Sequence, residues 1–167
     1  MGVAATFELD LGQETSAPTE TRQHGGVSSQ VEPLTLPYAA GLDQATFEIG
    51  GETMAYTVGG LNFTHMFIRT RAVNVDTSVG VGNLFYNAVP VGDSSFADGN
   101  ASGINYLVLE VADPLSGFVL TGDATLTWSG NVPTQSRLAF QLKLVGVNEF
   151  VSTESPSFGS LEAVFGN

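Results

Sequence analysis

The chain has 167 residues, of which 43% are hydrophobic and only 13% charged, with no cysteine and a net charge of −12. Those totals fit one domain with a core of its own and exclude disulfides, zinc–thiolate centres and thiol catalysis. One lysine, Lys143, and four arginines, Arg22, Arg69, Arg71 and Arg137, are too few to neutralise phosphates, which excludes nucleic acid and anionic lipid as partners.

In chain order, the first element is a strand over 1–11. Val3, Ala5, Phe7, Leu9 and Leu11 alternate with Glu8 and Asp10, the period of two that turns one face to a core and the other to solvent. Gly12–Pro37 is rich in Thr, Ser, Gln, Glu and Gly and reads as a polar loop or arm outside the core. The sandwich core is expected over 38–148, together with strand 1–11. Within it Ala45–Ile49 and Thr53–Val58 flank Gly50-Gly51-Glu52, a hairpin signature because adjacent glycines supply positive φ angles. Phe63–Ala72 is the next strand. Val73–Val81 and Asn83–Val89 read as two more, parted by Gly80 and Gly82, and Gly92–Gly103 as a second polar loop. Ile104–Val111 is almost continuously apolar, the mark of a strand covered on both faces. Pro114 and Gly117 end it.

Two further stretches alternate cleanly. Phe118, Leu120, Ala124, Leu126 and Trp128 oppose Thr121, Asp123, Thr125 and Thr127, and Leu138, Phe140, Leu142 and Leu144 oppose Arg137, Gln141 and Lys143. The C-terminal extension 149–167 contains Ser160–Phe165, which reads as an edge strand. No helical period and no internal repeat is visible, and twenty glycines and seven prolines suit a many-turned chain. The fold class is therefore all-β: a single antiparallel sandwich, jelly-roll or immunoglobulin-like, with an extended N-terminal arm and a C-terminal edge strand. No run approaches the ~18 apolar residues of a membrane span.

No catalytic constellation is legible. His24 lies in the polar arm, and His65 in a strand on the face of Phe63 and Phe67, where it reads as a structural histidine. A two-histidine metal site would need the arm to fold onto that strand. There is no Gly-x-Ser-x-Gly elbow, and no spacing among the seventeen acids marks a glycosidase pair. Glu110, which interrupts an apolar run, reads as a rim residue or a partner for an arginine. Asp93, Asp98 and Asn100 lie in an oxygen-rich segment around Gly99, chemistry that suits calcium, the one cofactor the sequence suggests. Their spacing is not that of an EF-hand, and a solvated turn explains them too. Asn62 and Asn100 head formal glycosylation sequons. Arg69 and Arg71, two apart on a strand, share one face at about 6.5–7 Å and call for carboxylates from the fold or a neighbour.

Three strings carry a resemblance: Ile68-Arg69-Thr70-Arg71-Ala72, Gly117-Phe118-Val119-Leu120-Thr121-Gly122-Asp123-Ala124-Thr125-Leu126-Thr127-Trp128, and Pro133-Thr134-Gln135-Ser136-Arg137-Leu138-Ala139-Phe140-Gln141-Leu142-Lys143. Together, over roughly Phe7 to Val147, the chain resembles the choice-of-anchor domains of exported bacterial proteins, especially cyanobacterial ones with a PEP-CTERM sorting tail. The resemblance implies export and surface or matrix placement, with no assigned chemistry. Such proteins carry a signal peptide and a Pro-Glu-Pro plus apolar anchor. The chain shows neither, which is the expectation for a cytoplasmically made virion component of the capsid decoration or cement kind.

The expected function is a non-enzymatic structural subunit at a virion surface or an extracellular cell surface, in a homo-oligomer or larger assembly with other protein subunits. Strand addition at an open sheet edge is the expected mode, with Phe7, Leu9 and Leu11 of the first strand and Arg69 and Arg71 as the interaction residues. The alternative is a carbohydrate- or calcium-dependent binding module with Tyr86, Phe96 and Tyr106 as an aromatic platform. A hydrolase would need His65 in a cleft, within reach of a hydroxyl and an acid.

Overall fold

The computed structural model describes residues 5–11, 19–58, 63–101, 103–111, 116–134 and 137–146. Over these the chain forms twelve strands: β1 (Thr6–Leu11), β2 (Thr19–Gln23), β3 (Val31–Ala39), β4 (Gln44–Ile49), β5 (Glu52–Thr57), β6 (Phe63–Ala72), β7 (Thr77–Tyr86), β8 (Val89–Pro90), β9 (Ser95–Asp98), β10 (Ile104–Glu110), β11 (Phe118–Trp128) and β12 (Leu138–Gly146), with a single 3₁₀ turn at Ala40–Leu42. Sheet A has the order β10-β6-β12-β1-β2, and sheet B the order β5-β4-β3-β11-β7-β8 with β9 paired to β7. The two sheets pack face to face, the all-β sandwich that the alternation implies.

The inner faces supply one core. Phe7 and Leu9 of β1, Met66 and Ile68 of β6, and Phe140, Leu142 and Leu144 of β12 meet Leu34 and Leu36 of β3, Phe47 and Ile49 of β4, and Leu120, Ala124 and Leu126 of β11. Phe47 and Phe140 cross between the sheets edge to face, with ring centroids 5.7 Å apart, a geometry that adds to simple area burial. The β4–β5 hairpin turns on Gly50 (φ 57°) and Gly51 (φ 80°), as the glycine pair foretells.

Among the described strands one pair is parallel: β1 lies beside β12, Thr6 opposite Ala139 and Leu11 opposite Leu144. β1 is thus an interior strand, flanked on its other side by β2. Phe7, Leu9 and Leu11, expected as a docking strand, are buried in the chain's own core. That overturns their reading as interaction residues, because a strand already paired on both sides offers no free backbone edge.

The arm expected over Gly12–Pro37 is also corrected. It contains β2 and most of β3, and β3 sits in the middle of sheet B between β4 and β11. Two prolines speak against a central strand, and the cost is visible: the β3–β4 register runs Leu34↔Ile49 and Thr35↔Glu48, then resumes at Tyr38↔Ala45, skipping Leu36 and Pro37, of which Pro37 has no N–H to give.

The two strands expected around Gly80 and Gly82 are one continuous β7. Gly80 does not break it, and the Phe96 ring lies over it: a Cβ there would meet the ring at 3.4 Å, an ordinary contact distance. The polar loop expected over 92–103 contains β9, whose Ser95 is fully buried and shares a 2.9 Å hydrogen bond with Thr70. β10, expected to be covered on both faces, is the last strand of sheet A among the described residues, and most of it is half-buried. The expected edge strand Ser160–Phe165 lies outside the described residues.

Candidate functional site

The outer face of sheet A carries most of the chain's cations. Strand register sets its side chains in rows across the sheet. One row runs Gln23, Thr6, Ala139, Arg71, Ile104, the next Thr21, Glu8, Gln141, Arg69, Tyr106, and the next Thr19, Asp10, Lys143, Phe67, Val108. Val145, His65 and Glu110 follow. These residues alternate with the core positions, so they point away from the sandwich interior. Yet Lys143 is 1% exposed, Glu8 6% and Asp10 7%. Phe67 and Val145 are buried as a separate apolar cluster, with Tyr106 and Val108 packed on it.

Burial strains the electrostatics of this face. The Asp10 carboxyl is pushed up from its ordinary range by loss of solvent, against a Thr19 hydrogen bond and the nearby Lys143 and Arg69 charges. Its Oδ1 is buried and accepts no hydrogen bond from the described residues. Burial also pulls the Arg69 guanidinium down, with Tyr106 opposing and Arg71 reinforcing the shift. Glu8 accepts from Thr6 at 3.0 Å, and Arg69 donates to the Gln141 side-chain carbonyl. The arginine pair therefore does share a face, as two-residue spacing requires, and one of its partners is an amide.

His65 lies at the far end of this face. A register shift between Val145 and Gly146 turns Phe63 inward, so His65 shares its face with Phe67 and not with Phe63. Its Nδ1 is 3.1 Å from the Thr64 hydroxyl. Burial lowers its pKa while Glu110 raises it. Thr64 and His65 are consecutive on one strand, so the hydroxyl is a neighbour of the ring rather than a nucleophile presented across a cleft.

His24, placed by its sequence context in an exposed arm, is buried at the opposite end of the sandwich. It stacks edge-on between Phe7 at 5.1 Å and Trp128 at 5.7 Å. Gly26 presses on it: a Cβ there would meet both the His24 ring and Glu32 Oε1 at 2.6 Å. The buried Glu32 also approaches Gly50, and it lines an open groove of about 470 Å³ with Glu48 and Glu52. The alternation of Glu32, Leu34, Leu36 and Tyr38 is the signal that could have placed this carboxylate inward. His24 follows β2 and has no periodicity to reveal it.

Of the candidate calcium residues, Asp98 and Asn100 lie together. Asp98 Oδ1 accepts from the Asn100 backbone at 2.8 Å and from its side-chain amide at 3.1 Å, and Asn100 Oδ1 accepts from the Asp76 backbone at 3.4 Å. Asp93 instead lines a groove with Phe85, Pro90 and Ser94. Among the described residues no group of three or more His, Cys, Asp or Glu side chains is placed to hold a metal ion.

The outer face of sheet B is of the other kind. Phe96 on β9 stands opposite Gly80, which is opposite Thr125 on β11, which is opposite Val31 on β3. Four residues back along β11, Thr121 is opposite Phe85, so the two phenyl rows lie about 13 Å apart. Between them the Asn83 amide donates to Asp123 at 2.8 Å. Grooves of about 300 and 590 Å³ meet at Asn83 and Ser94. Phe96 is 54% exposed and Val31 58%, and Phe85 and Val119 are exposed too. The three aromatics expected to form one platform are dispersed. Phe96 is on this face, Tyr106 on the outer face of sheet A, and Tyr86 packs inward, stacked on Phe118.

Among the described residues no helix is long and apolar enough to cross a membrane. No family model matches the chain, and neither the curated proteins nor the solved structures include one similar to it.

Proposed function

We propose that the chain is a non-enzymatic structural subunit that packs against neighbouring protein chains through the outer face of sheet B. The setting is a surface, either of a virion, as a decoration or cement component, or of a cell or its matrix, as the choice-of-anchor resemblance implies. The observation that carries this reading is the group of exposed apolar side chains, Phe96, Phe85, Val119 and Val31, on a face where hydroxyls outnumber charges. Apolar surface concentrated on one face marks protein contact, and interface centres are rich in aromatics and poor in charge. This mode is packing of faces, in place of the strand addition expected from β1. Light scattering across a concentration series tests it. The wild-type chain is expected to gain mass with concentration and a Phe96→Ser, Phe85→Ser variant to stay monomeric. A wild-type chain that stays monomeric at every concentration overturns self-assembly as the mode.

One observation favours a second reading, saccharide binding. Phe96 lies over the glycine floor of β7, beside a carboxylate held by an amide. A ring face with fixed acceptor and donor groups beside it suits a sugar. Titration calorimetry against a glycan panel, with and without calcium, separates the two. Heat that disappears in the Phe96→Ser variant supports the sugar, and absence of heat removes it.

A further inference from the structure

The strands of sheet B contain no lysine or arginine. Their carboxylates therefore have no basic partner within the sheet, and one of them is not at the surface. Glu32 is only 6% exposed. It continues the inward row of Leu34, Leu36 and Tyr38 and stands opposite Ala124 of β11. A carboxylate taken out of water needs a cation or hydrogen-bond donors. Glu32 makes no ion pair and no side-chain hydrogen bond with the described residues. Its carboxyl group lies between two glycines: a Cβ on Gly26 would meet Oε1 at 2.6 Å, and one on Gly50 would meet Oε2 at 3.3 Å. Described residues thus enclose it on both sides. His24 Nε2 is 3.1 Å from the same Gly26 position, and it too is buried with no hydrogen-bond partner among the described residues. A neutral imidazole can present that nitrogen as a second acceptor.

We infer that the groove between β3 and the β4–β5 hairpin takes an arginine side chain of a basic partner protein, its guanidinium at Glu32. The groove also contains Glu48 and Glu52, and Pro33 and Ile49 give it an apolar wall. At about 470 Å³ it has room for a side chain. Among the described residues no three acids or histidines are placed to hold one metal ion. Charge spread along a groove suits a broad head with several N–H donors, and the guanidinium fork serves more than one acceptor at once. The aliphatic stem of arginine packs on an apolar wall. The chain's own cations are engaged elsewhere: Arg22 is paired with Glu20, and Arg69, Arg71 and Lys143 lie on the outer face of sheet A. The net charge of −12 draws a basic protein towards the groove.

The probe is the tripeptide Gly-Arg-Gly, blocked at both ends, added to the isotopically labelled full-length chain at low salt and followed by amide NMR. Saturable shifts are expected at Gly26, Gly50 and Gly51, and none when citrulline replaces the arginine. Glu32→Gln is expected to weaken binding at least about ten-fold, as loss of a charge-assisted hydrogen bond implies. Asp93→Asn changes the net charge equally but lies in the groove beside Phe85, and it is expected to leave binding unchanged. Should Glu32→Gln fail to fold, judged by the near-ultraviolet signal of Trp128, the Glu48→Gln, Glu52→Gln variant takes its place, with weaker binding again expected. No shift at the three glycines overturns the inference, and so do equal shifts with citrulline or equal weakening by Asp93→Asn. Calcium that displaces the tripeptide from these glycines assigns the groove to a metal ion and overturns it. Shifts at the same glycines on concentrating the chain alone assign the groove to a second copy and also overturn it. Assembly through Phe96 and Phe85 is read by mass and not by these glycines, so the two readings fail separately.

Discussion

The two outer faces of this sandwich exchange the usual roles of their side chains. On sheet A the charged residues Glu8, Asp10 and Lys143 are hidden, and on sheet B the apolar residues Phe96, Phe85, Val119 and Val31 stand in water. Both faces alternate correctly with a shared core, so strand periodicity does not separate them. The difference lies in what each face meets. A face of charge can be buried if its ions neutralise one another and their hydrogen bonds are made, and an apolar face can be exposed if a partner completes it.

The largest expected effect strikes both faces alike and calibrates the rest. Phe140→Ala removes the ring that meets Phe47 across the sheets and should cost about 4 kcal/mol by denaturant melt. A loss below about 1 kcal/mol would mean the sheets do not share this core.

Next comes the hidden charge of sheet A. Lys143→Met should destabilise by about 3 kcal/mol, because it leaves the Asp10 and Glu8 carboxylates buried with less compensation. Pairing it with Asp10→Leu should recover much of that loss, since replacing both charges removes the desolvation penalty instead of exposing it. Strictly additive losses in the double-mutant cycle would show that the two sites are not coupled.

A smaller effect is expected from pH. The Asp10 pKa is raised by burial, so the folded state binds this proton more readily than the unfolded one. The stability it contributes is complete below the ordinary value of 3.8 and is lost as pH rises through the higher folded value. Asp10→Asn should therefore raise the melting temperature at pH 7 and leave it nearly unchanged at pH 3. A fall at pH 7 would reverse the assigned sign. His65 acts oppositely. Its pKa is lowered by burial, so its contribution is complete above 6.5 and is lost as pH falls through the folded value. His65→Gln should flatten that acid limb of a thermal-stability profile.

The smallest effect on stability belongs to sheet B. Phe96→Ser should change unfolding free energy by no more than about 0.5 kcal/mol, as expected of an exposed position, while lowering binding of an apolar dye. A large loss would mean that the ring over Gly80 is part of the fold rather than a contact surface.

Much of the architecture was legible because alternation is a local property. The strands Phe63–Ala72 and Phe118–Trp128 have the bounds read from the residues, and the Gly50-Gly51 hairpin forms where adjacent glycines place it. The misreadings share a cause. β3 looked like a loop because Pro33 and Pro37 sit on its outward side among threonines, and β7 looked like two strands because Gly80 and Gly82 are ordinarily breakers. Here they are floor beneath Phe96 and a bulge at Asn83 (φ 49°). Whether a glycine ends a strand or continues it beneath a ring depends on a residue sixteen positions away.

The candidate surfaces were legible only in part. Arg69 and Arg71 were singled out by spacing, and they do share a face. Phe7, Leu9 and Leu11 have the same alternating pattern whether they sit in the middle of a sheet or at its edge. Nothing local announces the parallel pairing of β1 with β12 that puts them in the middle.

By itself the amino-acid order determined which side chains of each strand turn inward away from the bulges at Phe63 and Asn83, since a regular pleated chain puts successive residues on opposite sides whatever its neighbours do. Tertiary structure alone decided which strands lie together, and so which outward faces are dry. That choice depends on contacts between residues far apart in the chain, and a charged side chain has the same local sequence whether water or protein lies above it.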